Sequence, residues 1–221
     1  MKFLESYAKR YDRGITLLTL GQIKKVYATI LSYIQSGMKV LDVGCGTGSI
    51  PIEAAKKGAK VVGIDINPSM LEIAQKKAKA AGVENQIDFV EKGIAELDTE
   101  PTETYDLVIS SFCFSELNIE EQKYAVENII RILVKGGYFI LADEIYPKKI
   151  YKRIFYWLIR FSLLVITFIL TQQTTSPLKN IEQLLAEKKL YPKSIYENWL
   201  GSIKILIWEK GRELSEIRNK A

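Results

Sequence analysis

The sequence predicts an α/β protein in which helices cover both faces of a mostly parallel sheet. Three observations carry that reading. Short apolar runs alternate with amphipathic helical stretches through residues 38–143. The first run, Met38 to Val43, breaks into glycines at alternate positions, Gly44, Gly46 and Gly48, before a helical pattern opens at Ser49 with Pro51 in its first turn. The second run, Lys60 to Ile64, ends in Asp65. Glycines permit positive φ and leave no Cβ in the way of a ligand. An acid closing the second strand of a βαβ unit can accept hydrogen bonds from both hydroxyls of a ribose. Strand, glycine turn, helix, strand and acid in that order imply a nucleoside site.

The remaining elements follow from punctuation and period. Leu17, Leu20, Ile23, Tyr27, Ile30, Leu31 and Ile34 form an amphipathic stripe over 17–36, stopped by Gly37. A helix over 49–57 ends near Gly58. The next spans about 68–81, with Asn67 as N-cap, Pro68 at its first position and Gly82 as its stop. A strand at 86–91 leads into Gly93-Ile94-Ala95-Glu96-Leu97. Strand four, Tyr105 to Ser110, is nearly all apolar, as a strand buried on both faces should be. Asn118 then caps a helix, Glu121 completes a capping box, and the helix reaches Leu133. Lys135-Gly136-Gly137 turns the chain into strand five, Tyr138 to Asp143. A helix at 178–189 and strands at Lys193–Trp199 and Ser202–Glu209 close the chain.

Composition bounds the function. The 221 residues, 48% apolar and 26% charged, suffice for one domain with a full core. That domain divides into N-terminal helices (1–37), a nucleoside-binding core (38–143), an apolar insertion (144–176) and a closing helix and hairpin (177–210). The net charge is +5, but residues 1–143 hold 17 Lys/Arg against 19 Asp/Glu and residues 144–221 hold 14 against 7. The basic excess lies behind the nucleoside half, which favours an anionic surface over nucleic acid. The absence of histidine removes imidazole metal sites and His-based nucleophile pairs. Two cysteines, Cys45 and Cys113, are too few for a thiolate cage or a disulfide framework, so no metal site is expected. The first residues lack the apolar core of a signal peptide, which makes cytoplasmic residence the expectation.

The glycine pattern G-x-G-x-G, preceded by Asp42 and followed by Ser49, differs from the G-x-G-x-x-G of dinucleotide enzymes. It resembles motif I of the class I S-adenosylmethionine-dependent methyltransferases, and Val61-Val62-Gly63-Ile64-Asp65 resembles their ribose-binding stretch. The resemblance implies a Rossmann-like seven-stranded sheet, mostly parallel with the last strand antiparallel, residues 1–37 as lid helices, and S-adenosyl-L-methionine as cofactor. It assigns cofactor contacts to Asp42, Gly44, Gly46, Gly48, Asp65, Ile66, Ile94, Ala95 and Ser110, with Tyr11 over the cofactor from the N-terminal helices. Where family members place an acid after Gly93 to meet the adenine amino group, this chain has Ile94. From about residue 7 to 209 it resembles quinone-ring C-methyltransferases, including the Lys-Gly-Gly turn. Where those enzymes often carry histidines it reads Phe114-Ser115-Glu116, leaving Glu116, Asp143, Glu144 and Tyr146 to accept a proton or orient an acceptor. Glu116, Asp143 and Tyr146 are the candidate catalytic residues.

The acceptor is less narrowly bounded. Ile154–Leu170 is an apolar run interrupted by Arg160, Ser162 and Thr167 and preceded by Lys148, Lys149, Lys152 and Arg153. It has three placements: a cap walling an apolar acceptor pocket, an interfacial helix dipping into lipid, or a membrane span. Spanning would strand the last two strands on the far side and leave a bare sheet edge. The leading expectation is therefore an apolar small-molecule or lipid-like acceptor, with peripheral membrane contact through 150–170 as a variant. Glu91–Leu97, Phe112–Leu117, Ala142-Asp143-Glu144 and Thr171–Thr175 also resemble corrinoid-protein-associated methyltransferases. That implies a corrinoid protein as partner, whose reduced cobalt needs no general base. A non-catalytic S-adenosylmethionine-binding regulator is the third reading.

Overall fold

The computed structural model describes residues 12, 16, 19, 21–146, 150–151, 177–188, 190–198 and 202–211. Its elements are α1 (Ile23–Leu31), β1 (Lys39–Val43), α2 (Ser49–Lys56), β2 (Lys60–Asp65), α3 (Pro68–Ala81), β3 (Ile87–Glu91), β4 (Tyr105–Ser111), α4 (Ile119–Ile132), β5 (Leu133–Glu144), α5 (Ile181–Glu187), β6 (Leu190–Glu197) and β7 (Ile203–Lys210). The seven strands form one sheet in the order β3-β2-β1-β4-β5-β7-β6. Strands β1 to β5 pair in parallel, and β7 is antiparallel to both β5 and β6. The order reverses between β1 and β4, and ligands of open α/β sheets lie at the carboxyl ends of strands at such a point.

The period of two along each strand divides the core into two layers. Leu41, Val43, Val108, Phe139 and Leu141 pack with Val126, Ile129 and Leu185 on the α4 and α5 side. Val40, Leu107, Ile109, Ile140 and Ala142 pack with Ile30, Ile52 and Ala78 on the α1, α2 and α3 side. Asp42 shares the parity of Val40, so its carboxylate is directed into the second layer. That is an unusual place for a charge.

Local chemistry sets the boundaries. Asn67 caps α3 by accepting the Ser69 amide, and Gly82 ends the helix in the left-handed region. Arg131 of α4 donates to the carbonyls of Leu97, Asp98 and Glu100 at 2.7–3.1 Å, tying the turn after β3 to α4. The Lys135-Gly136-Gly137 turn persists as an irregularity inside β5, whose register with β4 jumps between Tyr105–Leu133 and Leu107–Tyr138.

Three boundaries differ from the sequence pattern. Strand β6 starts at Leu190, ahead of Pro192, because it is an edge strand with a register shift there and tolerates the missing donor. Helix α5 starts at Ile181 because Leu178 is already engaged: it bridges to Ile145, donates to the Glu144 carbonyl at 2.8 Å and accepts from the Tyr146 amide at 3.2 Å. Helix α1 ends at Leu31, and its continuation to Ile34 is a set of turns. The apolar run 154–170 and Tyr11 lie outside the described residues. Among the described residues no helix is long and apolar enough to cross a membrane.

Asn118 accepts the Glu120 and Glu121 amides at 3.0 Å while Glu121 accepts the Asn118 amide at 2.8 Å. Asn118→Ala should therefore cost about 1 kcal/mol of unfolding free energy. A denaturant titration should show a lowered midpoint with unchanged slope; an unmoved midpoint would show that the cap contributes nothing to α4.

Candidate active site

The turn after β1 is fastened to β2. Gly44 and Cys45 each donate their amide to the Ile64 carbonyl at 2.9 Å. Gly46 donates to Asp65 Oδ2 and Asn67 to Asp65 Oδ1, both at 2.8 Å. Each carboxylate oxygen is thus fixed by one backbone amide and retains a second lone pair. Asp65 lines a groove of about 920 Å³ across the strand ends. Burial pushes its carboxyl up while the two amides oppose the shift. Gly44 has φ +75°, and a Cβ there would lie 2.6 Å from the Cys113 sulfur, so only glycine lets the β1 and β4 loops interleave.

Asp42 is 1% exposed, and its Oδ1 has no hydrogen-bond partner. Burial, and then the neighbouring Asp65 charge, push its carboxyl up to about 8. The Tyr27 hydroxyl of α1, hydrogen-bonded with Ser49, is pushed up by burial and by Asp42 and Asp12. Tyr27, Asp42, Gly46, Thr47 and Ser49 wall a recess of about 20 Å³, room for one small polar group. An orphaned, buried carboxylate oxygen beside such a recess is the complement of an ammonium group.

At one end of the groove lie Ile66, Gly93, Ile94 and Ala95. Ile66 is 77% exposed, an apolar platform for a flat heterocycle. Tyr124 of α4 donates to the Ala95 carbonyl at 3.0 Å and extends that wall. At the other end are Phe112, Cys113, Glu116 and Leu117. Phe112 holds φ +54°, a strained value for a bulky residue, and its amide donates to the Ala142 carbonyl at 2.8 Å. Burial first, then Asp143 and Asp65, push the Glu116 carboxyl up to about 7 although the residue is exposed on its outer side. Burial pushes both cysteine thiols up, which leaves them poor nucleophiles.

The structure brings most of the sequence-derived residues together and sets four apart. Gly44, Gly46, Asp65, Ile66, Ile94, Ala95 and Glu116 line the groove, and Asp42 lines the recess. Gly48, at φ +76°, begins α2 behind them. The Ser110 hydroxyl is spent on the Val43 carbonyl at 3.1 Å. Asp143 is fully buried and accepts the Ser115 amide at 3.0 Å and the Glu144 amide at 2.7 Å, so it shapes the Glu116 turn from behind. Burial pushes its carboxyl up to about 6 against those bonds. Tyr146 is pinned through its backbone to Leu178, outside the residues lining the groove. Asp12 stands beside Tyr11 in the N-terminal stretch that the resemblance places over the cofactor, whereas Tyr27, Phe112 and Tyr124 carry no sequence signal, since each reaches the site only through tertiary packing.

Comparison with known proteins agrees with this geometry. Residues 40–137 match the family model described as a methyltransferase domain. An uncharacterized methyltransferase of Bacillus licheniformis is 31% identical over 150 residues, 66% of this chain and 67% of that protein. A ubiquinone/menaquinone biosynthesis C-methyltransferase of Bartonella bacilliformis is 32% identical over 145 residues, 62% of this chain and 55% of that protein, so the chain matches little more than half the length of this relative. Among solved structures, a SAM-dependent methyltransferase of Methanosarcina mazei superposes with a TM-score of 0.63 at 20% identity, covering 84% of this chain and 98% of that one. The protein belongs to the methyltransferase family, and its fold is that of the SAM-dependent methyltransferase on which it superposes.

The residues present fit S-adenosylmethionine: when bound, its ribose would meet Asp65, its adenine the exposed Ile66 and the 93–95 backbone, and its ammonium group the orphaned Asp42 oxygen. Two outcomes follow. A cation beside Asp42 should lower its pKa from about 8, so binding near neutral pH should release protons and affinity should rise with pH until about 8. Calorimetry in buffers of different ionisation enthalpy should show that release, and Asp42→Asn should abolish most of it; buffer-independent heats would place the ammonium group elsewhere. Asp65→Ala should weaken S-adenosylmethionine by about 1.5 kcal/mol or more, roughly tenfold in Kd, the worth of hydrogen bonds to a charged group. An unchanged Kd would mean that the ribose is held by other residues.

Proposed function

We propose that the enzyme transfers the sulfonium methyl to an apolar, lipid-like small molecule. The observation that carries this reading is the place of the apolar insertion in the chain. The Ile145–Leu178 bridge lies at the carboxyl end of β5, the end of the sheet that carries the groove. The most apolar run of the sequence, Ile154–Leu170, falls between those two residues in the chain. Similarity to the quinone C-methyltransferase supports the same acceptor class. Ile150 and Tyr151, 73% and 63% exposed beside a basic stretch, extend the proposal to contact between 150–170 and a lipid surface.

Bound S-adenosylmethionine supplies a methyl group on an electron-poor sulfur, ready for in-line displacement. The protein's part is to orient, to exclude water and to place charge. Asp65 and Glu116 set a negative field along the groove that favours a cationic sulfonium. Glu116, near 7, is the residue placed to take a proton when the acceptor must lose one. The absence of histidine also favours a second acceptor, a corrinoid protein, because a reduced cobalt centre is a nucleophile without proton removal.

Replacing the apolar residues of 154–170 by a Gly/Ser sequence should leave S-adenosylmethionine binding intact and abolish methylation of isoprenoid-quinol analogues. Retained turnover would contradict the lipid-like acceptor. For a proton-losing acceptor, Glu116→Gln should remove a rise in rate centred near pH 7; a rate indifferent to this substitution favours the corrinoid acceptor.

A further inference from the structure

A ring of side chains around Thr47 joins the wall of the recess to α3 and to the chain leading into α1. Thr47 lies between Gly46 and Gly48 and is buried. Its hydroxyl donates to Asp12 Oδ1 at 2.6 Å. Lys77 of α3 donates to Thr47 Oγ1 at 2.9 Å and to the second Asp12 oxygen. Thr47 has one proton, given to Asp12, so its oxygen is left to accept from Lys77 and the three groups close a ring. On its other side Asp12 leads into α1. Its carbonyl accepts the Thr16 hydroxyl at 2.6 Å, the Thr16 carbonyl accepts the Thr19 hydroxyl at 3.3 Å, and Thr19 Oγ1 accepts the Ile23 amide at 3.2 Å. Helix α1 carries Tyr27, and Asp12, Tyr27 and Thr47 meet again in the wall of the recess beside Asp42.

We propose that Asp12 is a positioning residue for the amino-acid end of the cofactor. The Asp12–Thr47–Lys77 ring fixes the wall that faces the ammonium group. The proposal rests on the assignment of that group to the recess. Backbone bonds hold Gly46 to Asp65 and Gly48 to the Cys45 carbonyl, so the loop main chain is already placed and the ring fixes the Thr47 side chain between them. Lys77 pairs with Asp12, which leaves the Asp42 oxygen as the unpartnered one facing the recess. The Lys77–Asp12 pair is half-exposed, 36% and 46%, and so contributes little to folding. Its geometric effect on the buried Thr47 is the larger consequence.

The test uses the full chain and two probes, S-adenosylmethionine and 5′-methylthioadenosine, which shares the nucleoside but lacks the amino acid. Asp12→Asn and Thr47→Val should each weaken S-adenosylmethionine about tenfold by calorimetry, the worth of one charge-assisted hydrogen bond. The thioadenosine should bind as to the parent, and the thermal midpoint of the free protein should hold. Adding Lys77→Met to Asp12→Asn should weaken binding little further, since both break one ring. Equal weakening of both probes, or of neither, would overturn the positioning role. Failure of the parent to bind either probe would overturn the cofactor site itself and the proposal with it.

Discussion

The hydrogen bond from the Gly46 amide to the Asp65 carboxylate joins the turn after β1 to the end of β2, and the site is built outward from it. With Gly44 and Cys45 both donating to Ile64, it folds the glycine loop back over the second strand. That leaves room for the β4 loop to pass against Gly44, where the Cys113 sulfur occupies the space a Cβ would need. The loop fixes where α2 begins, where the recess beside Asp42 opens and which wall Phe112 presents. The acid that accepts from the loop keeps a second lone pair on each oxygen, so under the proposed ribose contact scaffold and recognition would share one carboxylate.

The electrostatics follow from this crowding. Asp42, Glu116 and Asp143 are held at about 8, 7 and 6, against about 4 for free carboxyls. Across that window the folded chain binds more protons than the unfolded one, so its stability falls as pH rises from about 4 to 8. Cation binding reverses the penalty by stabilising the ionised acids. The site therefore trades stability of the free protein for recognition of a positively charged ligand, and the missing imidazoles leave carboxylates to set the charge of the groove.

Elements with local punctuation were legible in the sequence. Helix α3 begins after Asn67-Pro68 and ends at Gly82 because cap and stop are written in adjacent residues. Elements fixed by distant partners were not. Leu178 is withheld from α5 by Ile145, and β6 extends through Pro192 because it lies on an edge. The site divides the same way. The glycine spacing and Asp65 mark the groove, whereas the positive φ of Phe112, the reach of Tyr124 to Ala95 and the Asp12 ring arise only when loops meet. Ser110 shows the converse, a hydroxyl at a strand end whose hydrogen bond is taken across the sheet by Val43.

The central claim is that buried carboxylates recognise a cationic nucleoside. The most direct test is the ratio of dissociation constants for S-adenosylmethionine and S-adenosylhomocysteine, which differ in the sulfonium charge, with NAD as a control. The account predicts tighter binding of the sulfonium at neutral pH, a ratio that falls toward one in high salt, and no binding of NAD. Equal affinity for the charged and neutral sulfur compounds at low salt, or binding of NAD in their place, would contradict it.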